Sequence, residues 1–312
     1  MQDFDKLTRS RSSGSSRRMI GLITVVAMVV GLGVVAATMA IVGGESRSGP
    51  GVASEEAGIL ERLSNVSGEP RNILVMGLDK RPEGNSEVEG ARADTIMLFR
   101  VYPDTGRIKI LSIPRDLLVE VEPGVRDKVN ASYAYGEVSG TISAVEQLTG
   151  VYVDHYGVVD FVGFEKIIDS LGGIRLDPDE SILPGQWDVG EGVQRFNGRR
   201  TLIYARLRST ENGDLDRIRR QQEVVAALRS KAFRWRSVEK LPEITRTITE
   251  NVETDMSLTE AASLGRAVAR HGRGALMTST QLAGTPETLE DGSKVLVPDE
   301  KANSEAIREF LD

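Results

Sequence analysis

Residues Ile20 to Val42 form a run of 23 positions without a charged side chain. As an α-helix this run would extend about 34 Å, which is enough to cross the hydrocarbon core of a bilayer. A secretory signal peptide has a shorter apolar core, of about 7–15 residues, followed by a small-residue cleavage site. Only weak cleavage candidates such as Thr38-Met39-Ala40 follow here. The run therefore predicts an uncleaved transmembrane helix rather than a signal peptide or a buried core helix.

The charges that flank this run predict the orientation of the chain in the membrane. The preceding segment is basic, with Lys6, Arg9, Arg11, Arg17 and Arg18 against Asp3 and Asp5. By the positive-inside rule, residues 1–19 form a cytoplasmic tail and everything after the helix at 20–42 lies outside. Residues 43–69 are rich in Gly, Ser, Pro and Glu and predict an extracytoplasmic linker. Residues 70–312 are numerous enough for one large domain, so we expect a single-pass protein of the cell membrane.

Composition excludes several classes of function. The chain has no cysteine, so neither disulfides nor thiol chemistry are available. Its only histidines are His155 and His271, which argues against a histidine-rich zinc site or a Ser-His-Asp triad. The net charge of −7 disfavours nucleic acid as a partner. Positive charge is nevertheless concentrated locally, because eleven arginines lie between Arg195 and Arg236.

The apolar runs of the domain predict an α/β fold. Asn72 to Leu78 reads as a central strand, and Asp94–Tyr102 with Ile108–Ile113 reads as an antiparallel hairpin around a four-residue turn. Helices are predicted at 141–148, 161–171, 215–233, 257–269 and 303–311, and further strands at 155–159, 174–176 and 295–297. We therefore expect a mixed central β-sheet flanked by helices in α-β-α layers, preceded by one transmembrane helix.

The hairpin brings polar residues to one edge of the predicted sheet. Asp94 opens one strand and Arg115 follows the end of its partner, so both lie at the same edge. Asp79 reaches this edge as well if its strand runs antiparallel to the strand of Asp94. Arg115 is also next to Asp116, so a structural ion pair between these neighbours is an alternative role. Residues Lys128 to Asn130 either contact a substrate or order a loop.

The predicted helix at 215–233 places further cationic and polar groups at one end. Apolar positions 218, 225, 228 and 232 mark its buried face, with Gln221 inside that stripe and Arg217 at its border. Arg217, Arg220 and Gln221 lie near the helix N-terminus, where free amides and the helix dipole favour an anion. Just before it, extended backbone would direct Arg206 and Arg208 to the same side.

Arginines around a few aspartates are what a magnesium-bound pyrophosphate requires. Guanidinium groups bind phosphoryl oxygens in pairs, and carboxylates hold a hard cation. The candidate residues are Asp79, Arg81, Arg92, Asp94, Arg115, Arg206, Arg208, Asp214, Arg217 and Gln221. Each also has a plainer interpretation: Asp214 can be a helix N-cap, and Arg81 and Arg92 can be solvated loop residues.

The sequence resembles the LytR-CpsA-Psr family of cell-envelope proteins. The resemblance is carried by Ile73–Arg81, Arg92–Leu98, Ser112–Asp116, Lys128–Tyr133, Asp154–Tyr156, Val159–Phe161, Leu171–Gly173, Tyr204–Arg208, Gly213–Asp214, Arg217 and Arg220–Gln221. It is dense over about residues 70 to 235 and weaker afterwards. Departures are modest: the loop after Asp79 is acidic, and Val129 stands where the family usually has Ile.

This resemblance implies a phosphotransferase that moves a glycopolymer, such as a wall teichoic acid or capsular polysaccharide, from a polyprenyl pyrophosphate carrier onto a peptidoglycan hydroxyl. It implies Mg2+ as cofactor, with Mn2+ as the other candidate ion, held by Asp79 and Asp94. These two aspartates and Arg115 are the predicted catalytic residues, and either aspartate can assist deprotonation of the acceptor. The predicted pyrophosphate contacts are Arg81, Arg92, Arg115, Arg206, Arg208, Arg217, Arg220 and Gln221.

Two other functions compete with this prediction. A hydrolase would cleave the polyprenyl pyrophosphate link and release the polymer to water. A non-catalytic, lipid-binding regulator of envelope processes belongs to another class altogether. Against a DNA-reading regulator, the predicted cytoplasmic tail has only nineteen residues and shows no helix-turn-helix pattern.

Overall fold

The computed structural model describes residues 68–79, 92–178, 192–206, 220, 223–228, 230–231, 240–271 and 276–312. Its strands are β1 (Arg71–Asp79), β2 (Arg92–Val101), β3 (Ile108–Ile113), β4 (Leu118–Glu122), β5 (Val125–Lys128), β6 (His155–Asp160), β7 (Ile174–Leu176), β8 (Gln194–Phe196), β9 (Val252–Thr254), β10 (Met277–Gln281), β11 (Gly284–Thr288) and β12 (Lys294–Pro298). Its helices are α1 (Ser132–Thr149), α2 (Phe161–Ser170), α3 (Gly198–Arg206), α4 (Leu241–Asn251), α5 (Leu258–Arg270) and α6 (Glu300–Leu311).

A six-stranded mixed sheet forms the centre of the domain, in the order β10-β3-β2-β1-β6-β9. Strand β2 runs antiparallel to both β1 and β3, whereas β6 is parallel to β1 and β10 is parallel to β3. The short edge strand β9 is antiparallel to β6. The strands β1, β3, β6 and β10 therefore all end at the same edge, where β2 and β9 begin. We call this the site edge.

Helices cover both faces of the sheet because β1 and β2 bury side chains on both sides. On one face, Ile73 and Val75 of β1 share a core with α2, α3, α4 and α5. On the other, Leu74 and Met76 share a core with α1 and α6. The alternation of buried residues along a strand sends neighbours to opposite faces. The structure thus confirms the predicted α/β class with a mixed central sheet between helical layers.

Most predicted elements are found, with some differences in extent. The hairpin of β2 and β3, the strand β6, and the helices α2, α5 and α6 lie where the sequence placed them. Helix α2 is followed by Gly172 and Gly173, whose positive φ angles of 74° and 77° suit glycine. Helix α1 begins at Ser132, nine residues before the predicted start at Thr141. The additional residues include a turn that precedes a kink at Gly136 and Glu137.

One local prediction is wrong. The sequence predicts an extended backbone at Arg206, but Arg206 is the last residue of helix α3. Leu202 and Ala205 are buried three positions apart in this helix, a spacing that fits a helical rather than a strand period. The partner in that prediction, Arg208, lies outside the described residues.

The predicted tail at 1–19, the transmembrane helix at 20–42 and most of the linker at 43–69 also lie outside the described residues. Within the part of the chain that the structure describes, no helix combines the length and the apolar character that crossing a bilayer requires.

A reciprocal cap begins helix α5 and allows a prediction about stability. The Ser257 hydroxyl accepts a hydrogen bond from the Glu260 amide at 3.2 Å, and a Glu260 carboxylate oxygen accepts from the Ser257 amide at 3.0 Å. Replacing Ser257 by alanine should lower the free energy of unfolding by about 1 kcal/mol, because a helix amide loses its partner. Urea denaturation measures this loss. Ser304→Ala on the exposed face of α6 is the control and should cost less than about 0.5 kcal/mol.

The same cap predicts a dependence of stability on pH. Hydrogen bonds from Ser257 lower the pKa of Glu260 below its ordinary value. The ionised form is therefore favoured in the folded protein, and its contribution is complete above the ordinary pKa of a glutamate. The contribution is lost as the pH falls through the lower pKa of the folded state. Glu260→Gln should flatten this part of the stability profile, whereas an unchanged profile would contradict the role given to Glu260.

Candidate functional site

Three segments that carry predicted site residues meet at the site edge, next to the end of β6. Asp79, the last residue of β1, pairs with Arg92, the first residue of β2. Leu78 pairs on its other side with Asp160, the last residue of β6. Arg115 follows the end of β3 by two residues. The antiparallel arrangement on which the sequence prediction depended is thus present, and it brings these backbone positions to one edge.

A buried carboxylate lies at the centre of this edge. Asp94 is only 8% exposed, and its Oδ1 atom is 2.7 Å from Nη1 of Arg115. The side-chain amide of Asn130, itself 3% exposed, approaches the same oxygen at 3.4 Å. Burial disfavours a charged group unless it is paired and hydrogen-bonded. The three side chains therefore form one polar group that the fold holds in place.

The β4–β5 hairpin explains how the chain brings Asn130 to Arg115. The chain leaves the sheet at Pro114, forms the hairpin and returns, so that the Asn130 amide donates to the Arg115 carbonyl at 3.1 Å. Just before it, the Val129 amide donates to the Leu117 carbonyl at 2.7 Å. The question left open for residues 128–130 is thus answered in part: they order this loop, and Asn130 also contacts Asp94.

A second carboxylate, that of Asp116, also contacts Arg115. Asp116 is 3.6 Å from Nε of Arg115 through Oδ2, and 3.1 Å from Nζ of Lys128 through Oδ1. The guanidinium of Arg115 therefore lies between two carboxylates, and both interpretations of this arginine from the sequence have a structural basis. The contact with Asp94 is the closer of the two. A guanidinium fixed from both sides is oriented before any ligand arrives, which lowers the cost of binding an anion.

The arginine-rich segment contributes a second, buried cluster. Arg220 is fully buried, and its guanidinium carbon is 6.0 Å from the centre of the Tyr204 ring. The Tyr204 hydroxyl donates a hydrogen bond to the Glu223 carboxylate, and its ring meets that of Phe196 edge-on at 5.5 Å. Val225 and Leu228 are buried, as the helical period predicted. The cluster joins α3 to the helical residues 223–228.

Several predicted site residues cannot be placed. Arg81, Arg208, Asp214, Arg217 and Gln221 lie outside the described residues, as do the side chains of Asp79 and Arg206. The roles assigned to them remain predictions. The structure also shows partners that the sequence reading did not single out, namely Glu223 and the ion pair of Asp116 with Lys128. Glu223 follows Arg220 by three residues, a spacing that places both on one helical face and could have identified it.

Of the two residues predicted to hold magnesium, Asp79 and Asp94, only the Asp94 side chain is described. Among the described residues, no three His, Asp or Glu side chains form a ready metal cluster. Magnesium is commonly bound by one or two carboxylates together with substrate phosphates and water. Asp94 supplies a hard oxygen donor, and the backbone of Asp79 ends on the neighbouring strand. A single carboxylate of this kind suits an ion that arrives with a phosphate.

Comparison with known proteins identifies relatives over most of the chain. The model of the LytR_cpsA_psr family matches residues 47–310. Polyisoprenyl-teichoic acid–peptidoglycan teichoic acid transferase TagU of Bacillus licheniformis is 32% identical over 191 residues, or 61% of this chain and 61% of that protein. The regulatory protein MsrR of Staphylococcus aureus is 31% identical over 249 residues, or 77% of this chain and 74% of its own length.

The fold agrees with that of solved relatives. The crystal structure of B. subtilis TagV superimposes with a TM-score of 0.66 at 26% identity, covering 78% of this chain and 97% of that one. The aligned region spans about three fifths of the length of the B. licheniformis TagU, at 61%. The likeness therefore applies to the folded domain that carries the site edge.

Proposed function

Because the chain belongs to the LytR_cpsA_psr family, we propose that it is a membrane-anchored phosphotransferase that moves a glycopolymer from a polyprenyl pyrophosphate carrier onto a peptidoglycan hydroxyl. The observation that carries the proposal is the buried Asp94 carboxylate with Arg115 at 2.7 Å on the site edge. A related protein named as a teichoic acid transferase, TagU, supports transfer of an anionic glycopolymer.

The proposed reaction breaks the phosphoanhydride bond of the carrier and forms a phosphoester bond to the acceptor. A peptidoglycan hydroxyl attacks the phosphorus linked to the glycan, and the bond from that phosphorus to the bridging oxygen breaks. The electron pair of the broken bond stays with the polyprenyl phosphate, and the hydroxyl proton is released. The products are a glycan–peptidoglycan phosphodiester and the polyprenyl phosphate. Negative charge spreads over the phosphoryl oxygens in the transition state, so fixed cations nearby lower the barrier.

Arg115 is the cation whose contacts best support this proposal. Its guanidinium is held by Asp94 and Asp116, so it does not need to reorganise when charge develops on the leaving phosphate. Arg92 begins β2 at the same edge. We propose that both contact the pyrophosphate, together with Arg81, Arg206, Arg208, Arg217, Arg220 and Gln221. Asp79 or Asp94 takes the acceptor proton, since β1 ends at this edge with Asp79 and β2 begins there two residues before Asp94.

Asp79 and Asp94 would hold the magnesium ion. When bound, the ion neutralises charge on the two phosphoryl groups and so stabilises the leaving phosphate. Arg115 would neutralise phosphoryl charge alongside the ion, and Asn130 fixes the position of Asp94 by its approach to Oδ1.

Membrane anchoring is part of the proposal. Its support is the run from Ile20 to Val42, which carries no charge, and the basic segment before it. Anchoring there would keep the domain on the outer side of the membrane, where both the lipid carrier and peptidoglycan are accessible. Localisation of a tagged chain with external protease would test this orientation.

A transfer assay separates the proposal from its rivals. Labelled polyprenyl-pyrophosphate glycan is incubated with the purified full chain, with and without peptidoglycan. We expect the label in peptidoglycan only when the acceptor is present. Release of free polymer to water regardless of the acceptor would indicate a hydrolase. Binding of the lipid without any turnover would indicate a regulator, the role that the name of MsrR states for that protein.

Removal of divalent ions should abolish transfer. We expect EDTA to reduce the rate to background and Mg2+ to restore it, with Mn2+ as the second ion to test. A thermal shift on adding Mg2+ together with a polyprenyl pyrophosphate analogue gives a readout independent of turnover. Asp94→Asn should diminish that shift because it removes a charged oxygen donor. Full activity in EDTA would contradict the metal assignment.

A further inference from the structure

Helix α1 contains a kink that the proposed reaction does not explain. Gly136 and Glu137 leave the helical conformation within it, and Glu137 has φ 51° and ψ −136°. Glu137 is the one residue other than glycine with a positive φ in the described part of the chain. A side chain in this region strains the backbone, and such strain persists only where the surroundings enforce it. The kink is therefore a built feature.

Buried hydroxyls on both sides hold the kink in place. Ser132 and Thr141 are fully buried, and their hydroxyl oxygens are 3.1 Å apart. Ser132 donates to the Val129 carbonyl at 2.6 Å, and Thr141 donates to the Glu137 carbonyl at 3.2 Å. Gly140 completes the arrangement, because a Cβ there would lie 2.6 Å from the Ser132 carbonyl oxygen. The first turn of α1 is thus pinned against the rest of the helix.

This pinned turn presents an aromatic and acidic surface. Tyr135 is 44% exposed, and a Cβ at Gly136 would meet nothing within 4 Å, so the space beside the turn is open. Tyr133 and Tyr156 pack against the same face of the sheet, the one shared with α1. Glu253 on the edge strand β9 pairs with Val158, close to Tyr156 along β6.

Charge links these side chains. Burial is the main cause of the raised pKa of Tyr133, and the negative charges of Glu253 and Glu137 raise it further. Burial likewise is the main cause of the raised pKa of Tyr156, and the negative charges of Glu253 and Asp255 add to it. Both phenols therefore stay protonated and keep a hydroxyl that can donate. We name Tyr133, Tyr135, Glu137, Tyr156 and Glu253 the tyrosine–carboxylate surface.

The surface begins close to the site edge along the chain. Asn130, whose amide approaches Asp94 at 3.4 Å, precedes Tyr133 by three residues. The surface therefore leads from the residues next to the site edge toward Tyr156, the second residue of β6, and does not include the cluster of Asp94 and Arg115. Its carboxylates carry the sign of charge that repels a polymer of phosphodiesters, so the anionic donor polymer is disfavoured there.

Resting on the proposed function, we infer that the tyrosine–carboxylate surface binds the glycan strand of the acceptor. Aromatic faces bury the apolar faces of sugar rings, and carboxylates accept hydrogen bonds from sugar hydroxyls. The strained turn keeps Tyr135 presented beside the open space. The surface thereby directs an acceptor hydroxyl toward the phosphate held at the site edge. These five residues are positioning residues for the acceptor and have no part in the bond exchange.

The test measures transfer rates while the concentration of soluble, peptide-free peptidoglycan glycan chains is varied. Tyr135→Ala and Glu253→Gln should each raise the KM for the acceptor about tenfold and leave the KM for the lipid donor within about twofold. Leu276→Ala is the control: this residue is 69% exposed and precedes β10, the strand at the other side of the sheet from β9. It should change neither constant. An unchanged acceptor KM in both surface variants would overturn the inference.

Two further measurements separate this inference from the proposed function. Direct binding of the same glycan chains to the full protein, without donor, should weaken in Tyr135→Ala; this result stands even if no transfer is found. If transfer occurs but binding is unchanged in the variants, the inference alone fails.

Glu137→Gly should raise the melting temperature by relieving backbone strain and also raise the acceptor KM. A purely structural kink would give the first change without the second, and that result would count against the inference.

Discussion

Replacement of Arg115 by alanine should lower the rate of transfer by about 10²–10³-fold, because a positioned cation is lost where charge develops. It should also lower the free energy of unfolding by about 3 kcal/mol, since the Asp94 carboxylate is buried and loses its partner at 2.7 Å. Steady-state transfer and urea denaturation measure the two effects. Arg126→Ala, on the exposed part of the β4–β5 hairpin, is the control and should change neither quantity appreciably.

A double variant separates the two consequences of this change. Asp94→Asn combined with Arg115→Ala leaves no uncompensated charge, so it should recover part of the lost stability. It should not recover transfer, because the cation and the carboxylate are both absent. Near-normal transfer by a folded Arg115→Ala protein would remove Arg115 from the mechanism.

The second large effect concerns Arg220. Its replacement by alanine should lower the free energy of unfolding by about 3–5 kcal/mol, because a fully buried cation beside Tyr204 and Glu223 is removed and its packing is lost. The midpoint and slope of urea denaturation measure this change. Arg246→Ala is the matched control, since that side chain is 70% exposed and lies 3.9 Å from Glu250; it should cost less than about 0.5 kcal/mol.

Arg220→Met refines this prediction. Methionine fills much of the space without a charge, so it should be less destabilising than alanine. If stability is recovered while transfer stays low, the guanidinium itself serves the reaction, as the pyrophosphate assignment requires. A loss of less than about 1 kcal/mol in Arg220→Ala would show that burial at this position carries little of the stability of the domain.

The long apolar runs predicted the fold well because burial on both faces of a sheet leaves a strong pattern. Residues 73–78 of β1 are all buried, and the hairpin after Arg92 is closed by a short turn, so local sequence determines that pairing. The α-β-α arrangement follows because helices with one apolar face must cover such a sheet. The predicted meeting of Asp94 and Arg115 at one edge followed from the same hairpin geometry.

Local sequence patterns could not predict the contacts between segments that are distant in sequence. The approach of Asn130 to Asp94 joins residues 36 positions apart, and it depends on the return of the β4–β5 hairpin. The helical backbone of Arg206 depends on packing of α3 against the core, which overrides a local preference. The helix propensities of the residues around Glu137 do not predict the kink there, because buried hydroxyls on both sides of the kink enforce it.

The sequence by itself determined the α/β class, the β2–β3 hairpin that brings Asp94 and Arg115 to one edge, and the family, since these depend on periodicity and on short runs of residues. Only the tertiary structure decided which oxygen of Asp94 meets Arg115, that Arg220 is enclosed beside Tyr204, and that a strained turn displays Tyr135. The physical reason is that side-chain partners and burial are properties of packing between distant segments, whereas periodicity records only which face of each segment avoids water.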